Sequence, residues 1–250
     1  MHLDITDSLP KTLFKYREIS NDFHLKVISD QELYFSKPSK FNATHDCDVL
    51  VDKESIQNEN KRREYYSKEI GIKNIYDVRI DELILKNPLT TELIDESEQR
   101  LRTNFDNFLG VLSLGTNPNN DFLWDVFAGQ RTGFCIEVNH NSILDVSMGR
   151  RGYVEYVEEK DLPQVCLLDV HNHEKMIKYF FDSVFMLPKK YREEKEYRIV
   201  RLITDENQRI QKVAKESIRA IYLGDEMNEP DRERIKELVN INLPSCPIIE

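Results

Sequence analysis

The sequence predicts an α+β protein: a mixed or antiparallel central sheet with a mainly helical insertion at about 55–104, in a single domain over 1–250. Three observations carry this expectation. At 250 residues the chain can bury a core without disulfides or a structural metal. Short runs rich in β-branched and aromatic residues recur at both ends of the sequence, which is strand texture. Between them, residues 55–104 are charge-dense, with Ile70, Ile75, Val78, Leu83, Leu85, Leu93 and Ile94 at helical spacing.

The elements follow in order. Thr12–Arg17 reads as an opening strand, and Asn21 as the N-cap of a helix through Phe23, Leu25, Val27 and Ile28. Glu32–Ser36 reads as a strand closed by Lys37-Pro38, before a polar loop at Phe41–Asp48. The insertion holds two or three helices, with Asn60–Arg63 on a solvated face. Phe108–Leu114 is a buried strand, Gly115–Asn120 a loop, and Asp121 the cap of a short helix carrying Trp124 and Phe127. Gly133–Val138 and Arg151–Val157 are strands, and His171–Phe185 is a helix with one broad apolar stripe. Three late strands, Glu196–Ile203, Ile210–Ala214 and Ile218–Leu223, precede a closing helix that begins at Pro230.

Composition excludes several classes. Net charge is −10 and mean hydropathy −0.57, which argues against a basic surface that wraps nucleic acid. No run approaches the ~18 apolar residues of a membrane span, and the N-terminus lacks the layout of a secretory signal. Cys47, Cys135, Cys166 and Cys246 form no C-x-x-C pair, so no zinc ribbon or finger is expected; Cys135 reads as a buried small hydrophobe. His171 and His173 make no metal site by themselves, and no metal is expected. P-loop, Rossmann and zincin motifs are absent. The expected setting is a reducing cytoplasm, with no membrane partner and no oligomeric state implied.

Polar groups set into apolar strands mark the candidate site. They are Lys15-Tyr16-Arg17, Ser113 inside Leu112–Leu114, and Glu194-Lys195-Glu196-Tyr197-Arg198. A strand period of two places Glu194 and Glu196 on one face, with Arg198 able to pair with one of them. Two carboxylates that close repel unless a cation or substrate compensates; an edge-strand charge ladder is the plainer alternative. Trp124 reads as a core anchor under the strand carrying Phe134.

Several blocks together carry a family resemblance. They are Leu13–Arg17, Glu32–Pro38 with Phe41-Asn42, Leu112-Ser113 with Leu123-Trp124-x-x-Phe127-Ala128, and Gly133–Glu137. Tyr191-x-x-Glu194-x-Glu196-Tyr197-Arg198-Ile199 and Ile218-x-x-Ile221-Tyr222-Leu223-Gly224 complete the set. In this order the chain resembles the bacterial family catalogued as domain of unknown function 2971, which implies a bacterial or phage setting. It departs from that family at Asn42–Asp46 and at Val126-Phe127-Ala128. A second likeness is to the Arg–Ser–Glu layout of ADP-ribosyltransferases. It implies a transferase-like fold and NAD as co-substrate of a toxin or phage-defence effector, with a nucleic-acid or protein acceptor. Under it Glu196 stabilises the ribosyl cation and Glu194 orients or deprotonates the acceptor. Ser113 supports Glu196 or the ribose, and Arg17 holds a phosphate or the ribose, with Tyr16, Tyr34, Ser36 and Asn42 as further nucleotide contacts.

Two other classes stay open. One is a ligand- or partner-binding module of a defence or toxin–antitoxin system, without turnover. The other is a metal-dependent nuclease using Asp46, Asp48, Glu137 or the E-x-E pair.

Overall fold

The computed structural model describes residues 9–41, 43–88, 90–143, 149–170 and 172–250. The fold is α+β. Where the sequence suggests one domain with an insertion, the chain divides into two compact units. The first comprises residues 1–36, 109–156 and 190–250; the second comprises 37–108 and 157–189.

Along the chain run β1 (Thr12–Arg17), α1 (Asp22–Ser29), β2 (Glu32–Tyr34), α2 (Lys53–Gln57), α3 (Glu59–Glu69), α4 (Val78–Lys86) and α5 (Thr91–Phe108). Then come β3 (Leu109–Gly115), α6 (Asp121–Phe127), β4 (Phe134–Asn139), β5 (Gly149–Tyr153), β6 (Glu155–Val157), α7 (His173–Phe185) and β7 (Met186–Pro188). The last part holds β8 (Glu196–Leu202), β9 (Ile210–Lys212), β10 (Ile218–Leu223), α8 (Glu229–Asn242) and β11 (Ile248–Ile249).

Asparagine opens many of these helices because its side-chain oxygen satisfies a backbone N–H that has no partner within the helix. Asn21 accepts from Phe23 N at 3.0 Å, Asn58 from Lys61 N at 3.1 Å, and Asn172 from Lys175 N at 3.1 Å. The cap of α6 is Asn120, one residue before the expected Asp121, and it accepts from Leu123 N at 3.2 Å. The expected start of α7 at His171 lies outside the described residues.

In the first unit a seven-stranded sheet has the order β11-β10-β4-β1-β3-β8-β5, antiparallel except where β10 meets β11. Its two faces differ. On one, Leu13, Leu112, Leu114, Phe134, Ile136, Tyr197 and Ile199 pack with Leu25 and Ile28 of α1 and Ile235 and Val239 of α8. On the other, Phe14, Tyr16 and Cys135 pack with Leu123 and Trp124 of α6. Trp124 is the core anchor expected of it, but it sits against Cys135 on the face opposite Phe134; its indole N–H donates to Pro118 O at 2.8 Å.

The sheet forks at β1. This strand pairs with β4 along its full length, yet meets β3 only at Phe14–Gly115. Farther along β3, Val111 exchanges hydrogen bonds with Ser36 instead, at 2.9 Å each way. Beside the end of β1, a Cβ at Gly133 would lie 2.2 Å from Arg17 O, so only glycine lets the chain turn there into β4.

The helices of the insertion belong to the second unit. Ile56, Ile80, Ile94, Leu101 and Phe105 are buried, and the Phe105 ring lies 5.0 Å from that of Phe180 on α7. Among the described residues no helix is long and apolar enough to cross a membrane.

Candidate functional site

The opposite ends of the fork carry the residues singled out from sequence. On β8, Glu196 and Arg198 are sealed from solvent, at 3% and 0% exposure. Arg198 Nε donates to Glu196 Oε2 at 2.8 Å and its Nη2 lies 2.5 Å from the same oxygen. Ser113, facing Arg198 across the β3–β8 ladder, donates its hydroxyl to Glu196 Oε1. Both carboxylate oxygens are therefore engaged within the protein. The backbone N–H of Glu196 donates to Tyr156 Oη at 3.0 Å, and burial pushes that phenol above its ordinary range.

Glu194 does not share a strand face with Glu196. It ends a 3₁₀ turn (Lys189–Glu194), and Lys195 at φ +47° sits in the left-handed region, so alternation begins only at Glu196. Glu194 is itself buried, and its carbonyl accepts from Asn120 Nδ2 at 3.1 Å.

On β1 the alternation sends Lys15 and Arg17 to the face of Leu13, whereas Ser113, Glu196 and Arg198 lie on the opposite face. Arg17, Ser113 and Glu196 thus do not line one cleft, as the Arg–Ser–Glu layout requires. Instead Arg17 lines a narrow cleft with Lys15, Phe23, His24, Lys26 and Tyr34, enclosing about 20 Å³. Phe23 and Tyr34 meet edge to face there at 5.3 Å. Tyr34 therefore stands beside Arg17. Tyr16 does not: it is buried against Trp124 on the other face, with its hydroxyl bonded to Asn117 O. Ser36 is held in its backbone bridge to Val111, and Asn42 lies outside the described residues.

Lys15 is the functional candidate the sequence reading leaves without a role. Where β1 and β3 part, the carbonyl of Ser113 has no strand partner from β1. Lys15 Nζ fills that place, donating to Ser113 O at 2.5 Å. Burial holds this ammonium well below its usual pKa; neighbouring Arg17 adds to the shift and Glu196 opposes it. Arg17 is pushed down to about 10 by burial, against the pull of Glu18, and has no ion pair among the described residues. His24 is lowered first by burial and then by Arg17, and its Nδ1 lies 3.0 Å from Glu18 O. Nearby Lys26 is balanced by Glu32 at 3.9 Å, and Glu32 also serves Lys212 at 3.7 Å. The cleft thus holds two adjacent cations, Lys15 and Arg17, short of direct carboxylate partners. The signal was present in Leu13-x-Lys15-x-Arg17, whose period of two puts both cations on the core face.

Among the described residues no three His, Cys, Asp or Glu side chains group closely enough to hold a metal ion. Glu137 accepts from Tyr222 Oη at 2.9 Å, while Asp48 is paired with Arg102. Comparison with family models, curated proteins and solved structures gives no match to this chain.

Proposed function

We propose that the first unit is a binding module for a nucleotide-type anion, with Lys15 and Arg17 reading phosphate and no turnover at Glu196. One contrast supports this reading. The expected catalytic carboxylate is spent on Ser113 and Arg198 and shielded from solvent, whereas Arg17 is half-buried in the wall of a cleft without an ion pair among the described residues. A guanidinium and an ammonium side by side, both disfavoured by burial and the ammonium further by Arg17, gain from a ligand bearing two or more negative charges. Phe23, 43% exposed beside Tyr34, offers a ring surface for a base at the rim. The enclosed 20 Å³ is far below the ~300 Å³ of small-molecule pockets, so the ligand rests at the mouth and the phosphate alone enters.

The transferase reading keeps one observation in its favour: the Ser113–Glu196 bond on adjacent strands next to β1. On that reading NAD is the co-substrate, and Glu196 would face the ribose from which nicotinamide departs.

Incubation of the full chain with NAD, with binding by calorimetry and nicotinamide release read in parallel, separates the two. Saturable binding with release at the no-protein background is expected. Release above background that disappears in Glu196→Gln would replace the binding module with the transferase.

A further inference from the structure

A cavity of about 500 Å³ lies within the first unit and shares no residue with the Lys15–Arg17 cleft. Its walls come from the 3₁₀ turn Lys215–Ser217, the start of β10, and residues 243–247, which join α8 to β11. That volume falls within the range of small-molecule pockets. We propose that it is a binding site for a small organic anion: a carboxylate carried on an apolar body. This inference does not rest on the nucleotide reading.

The rim sets the sign of the ligand's charge. Lys215 and Arg219 line the cavity and are exposed, and neither has a hydrogen bond or ion pair among the described residues. Other cations of this unit are answered: Arg234 meets Asp22 at 2.7 Å, and Lys236 meets Glu250 at 2.9 Å. Among the described residues Glu216 is the one carboxylate in the wall, and it pairs with neither cation. The end of α8 adds about half a negative charge. Part of that is taken up where Leu243 N donates to Val239 O at 2.7 Å and Asn242 Nδ2 to Leu238 O at 2.8 Å. Two cations against one carboxylate and a partial charge leave the rim positive. A carboxylate can take two parallel bonds from the guanidinium of Arg219, while Lys215 supplies a point charge.

The floor sets the body of the ligand. Ile218 and Leu243 are buried members of the main core of this unit, and Cys246 packs against it. Pro244 and Pro247 extend the apolar wall, and their fixed φ stiffens the connection. Backbone bonds tie that connection down at two points. Cys246 N donates to Leu243 O at 2.8 Å, and Ile221 N to Pro247 O at 3.0 Å. Burial, and then Glu137, push the Cys246 thiol above its ordinary pKa, so it stays neutral and does not repel an anion.

Calorimetric titration of the full chain with phenylbutyrate, and with phenylbutylamine as its matched cation, tests the site. Phenylbutyrate is expected to bind saturably and at least about tenfold more tightly than the amine. Lys215→Gln and Arg219→Gln should each weaken phenylbutyrate binding at least about tenfold, the scale of one charge-assisted bond. Both side chains are exposed, so the unfolding midpoints should not move. Ser245 is exposed on the connection after α8, and Ser245→Trp fills the cavity from the rim; it should abolish binding in a folded chain. No saturable phenylbutyrate binding, equal affinity for the amine, or full affinity in folded Arg219→Gln or Ser245→Trp would overturn the proposal.

Discussion

Arg198→Met should cost the protein about 3–5 kcal/mol of unfolding free energy, the usual price of leaving a buried charge without its partner. The guanidinium is fully sealed and holds Glu196 Oε2 with two nitrogens, so its removal strands a carboxylate that solvent cannot reach. Ser113 remains on Oε1, but one hydroxyl does not balance a full charge. The companion variant Arg198→Met with Glu196→Leu removes both charges and should recover most of the loss, since an apolar pair of similar volume often matches a buried ion pair. Urea unfolding of the three proteins checks this. A loss below about 1 kcal/mol in the single variant would show that Glu196 is not locked in the ion pair seen here. The pair's role in binding β3 to β8 would then be lost as an explanation for its burial.

Lys15 should impose a pH dependence of the opposite character to that of a surface lysine. Its folded-state pKa lies well below 10.5, with burial the main cause. In the interval between that depressed value and 10.5 the unfolded chain binds more protons than the folded one. Stability therefore rises with pH across this interval, and below it the protein carries the full cost of a buried ammonium. Lys15→Met lacks this contribution while leaving other groups largely as they were. The wild-type-minus-variant difference in unfolding free energy should thus climb as pH rises toward 10.5, by about 1.4 kcal/mol for each unit of depression. A flat difference, measured by denaturant unfolding from neutral pH to 10.5, would mean that the ammonium is solvated and that Ser113 O is not its chief partner.

What could be read from sequence follows from how local each feature is. The Asn21 cap and the apolar strand runs declare themselves within a few residues, and the α+β class followed from such local patterns. The Arg198–Glu196 pairing was legible for the same reason, since both side chains share a strand face. Glu194 was misplaced because one residue, Lys195, adopts left-handed backbone that its type does not announce. The separation of Arg17 from Ser113 was not legible at all. Each strand reveals its own alternation, but which face of β3 matches which face of β1 depends on the register Phe14–Gly115. The fork that frees Ser113 O and draws in Lys15 depends on the bridge from Ser36 to Val111, 75 positions apart.

The decisive measurement is the affinity of the full chain for ADP in wild type and in Arg17→Ala. Loss of one charge-assisted contact is worth about 1.5–3 kcal/mol, so the variant should bind about ten- to a hundredfold more weakly while unfolding at the same denaturant concentration. Equal affinity in the two proteins, or no ADP binding by the wild type, would contradict a phosphate site at the Lys15–Arg17 cleft.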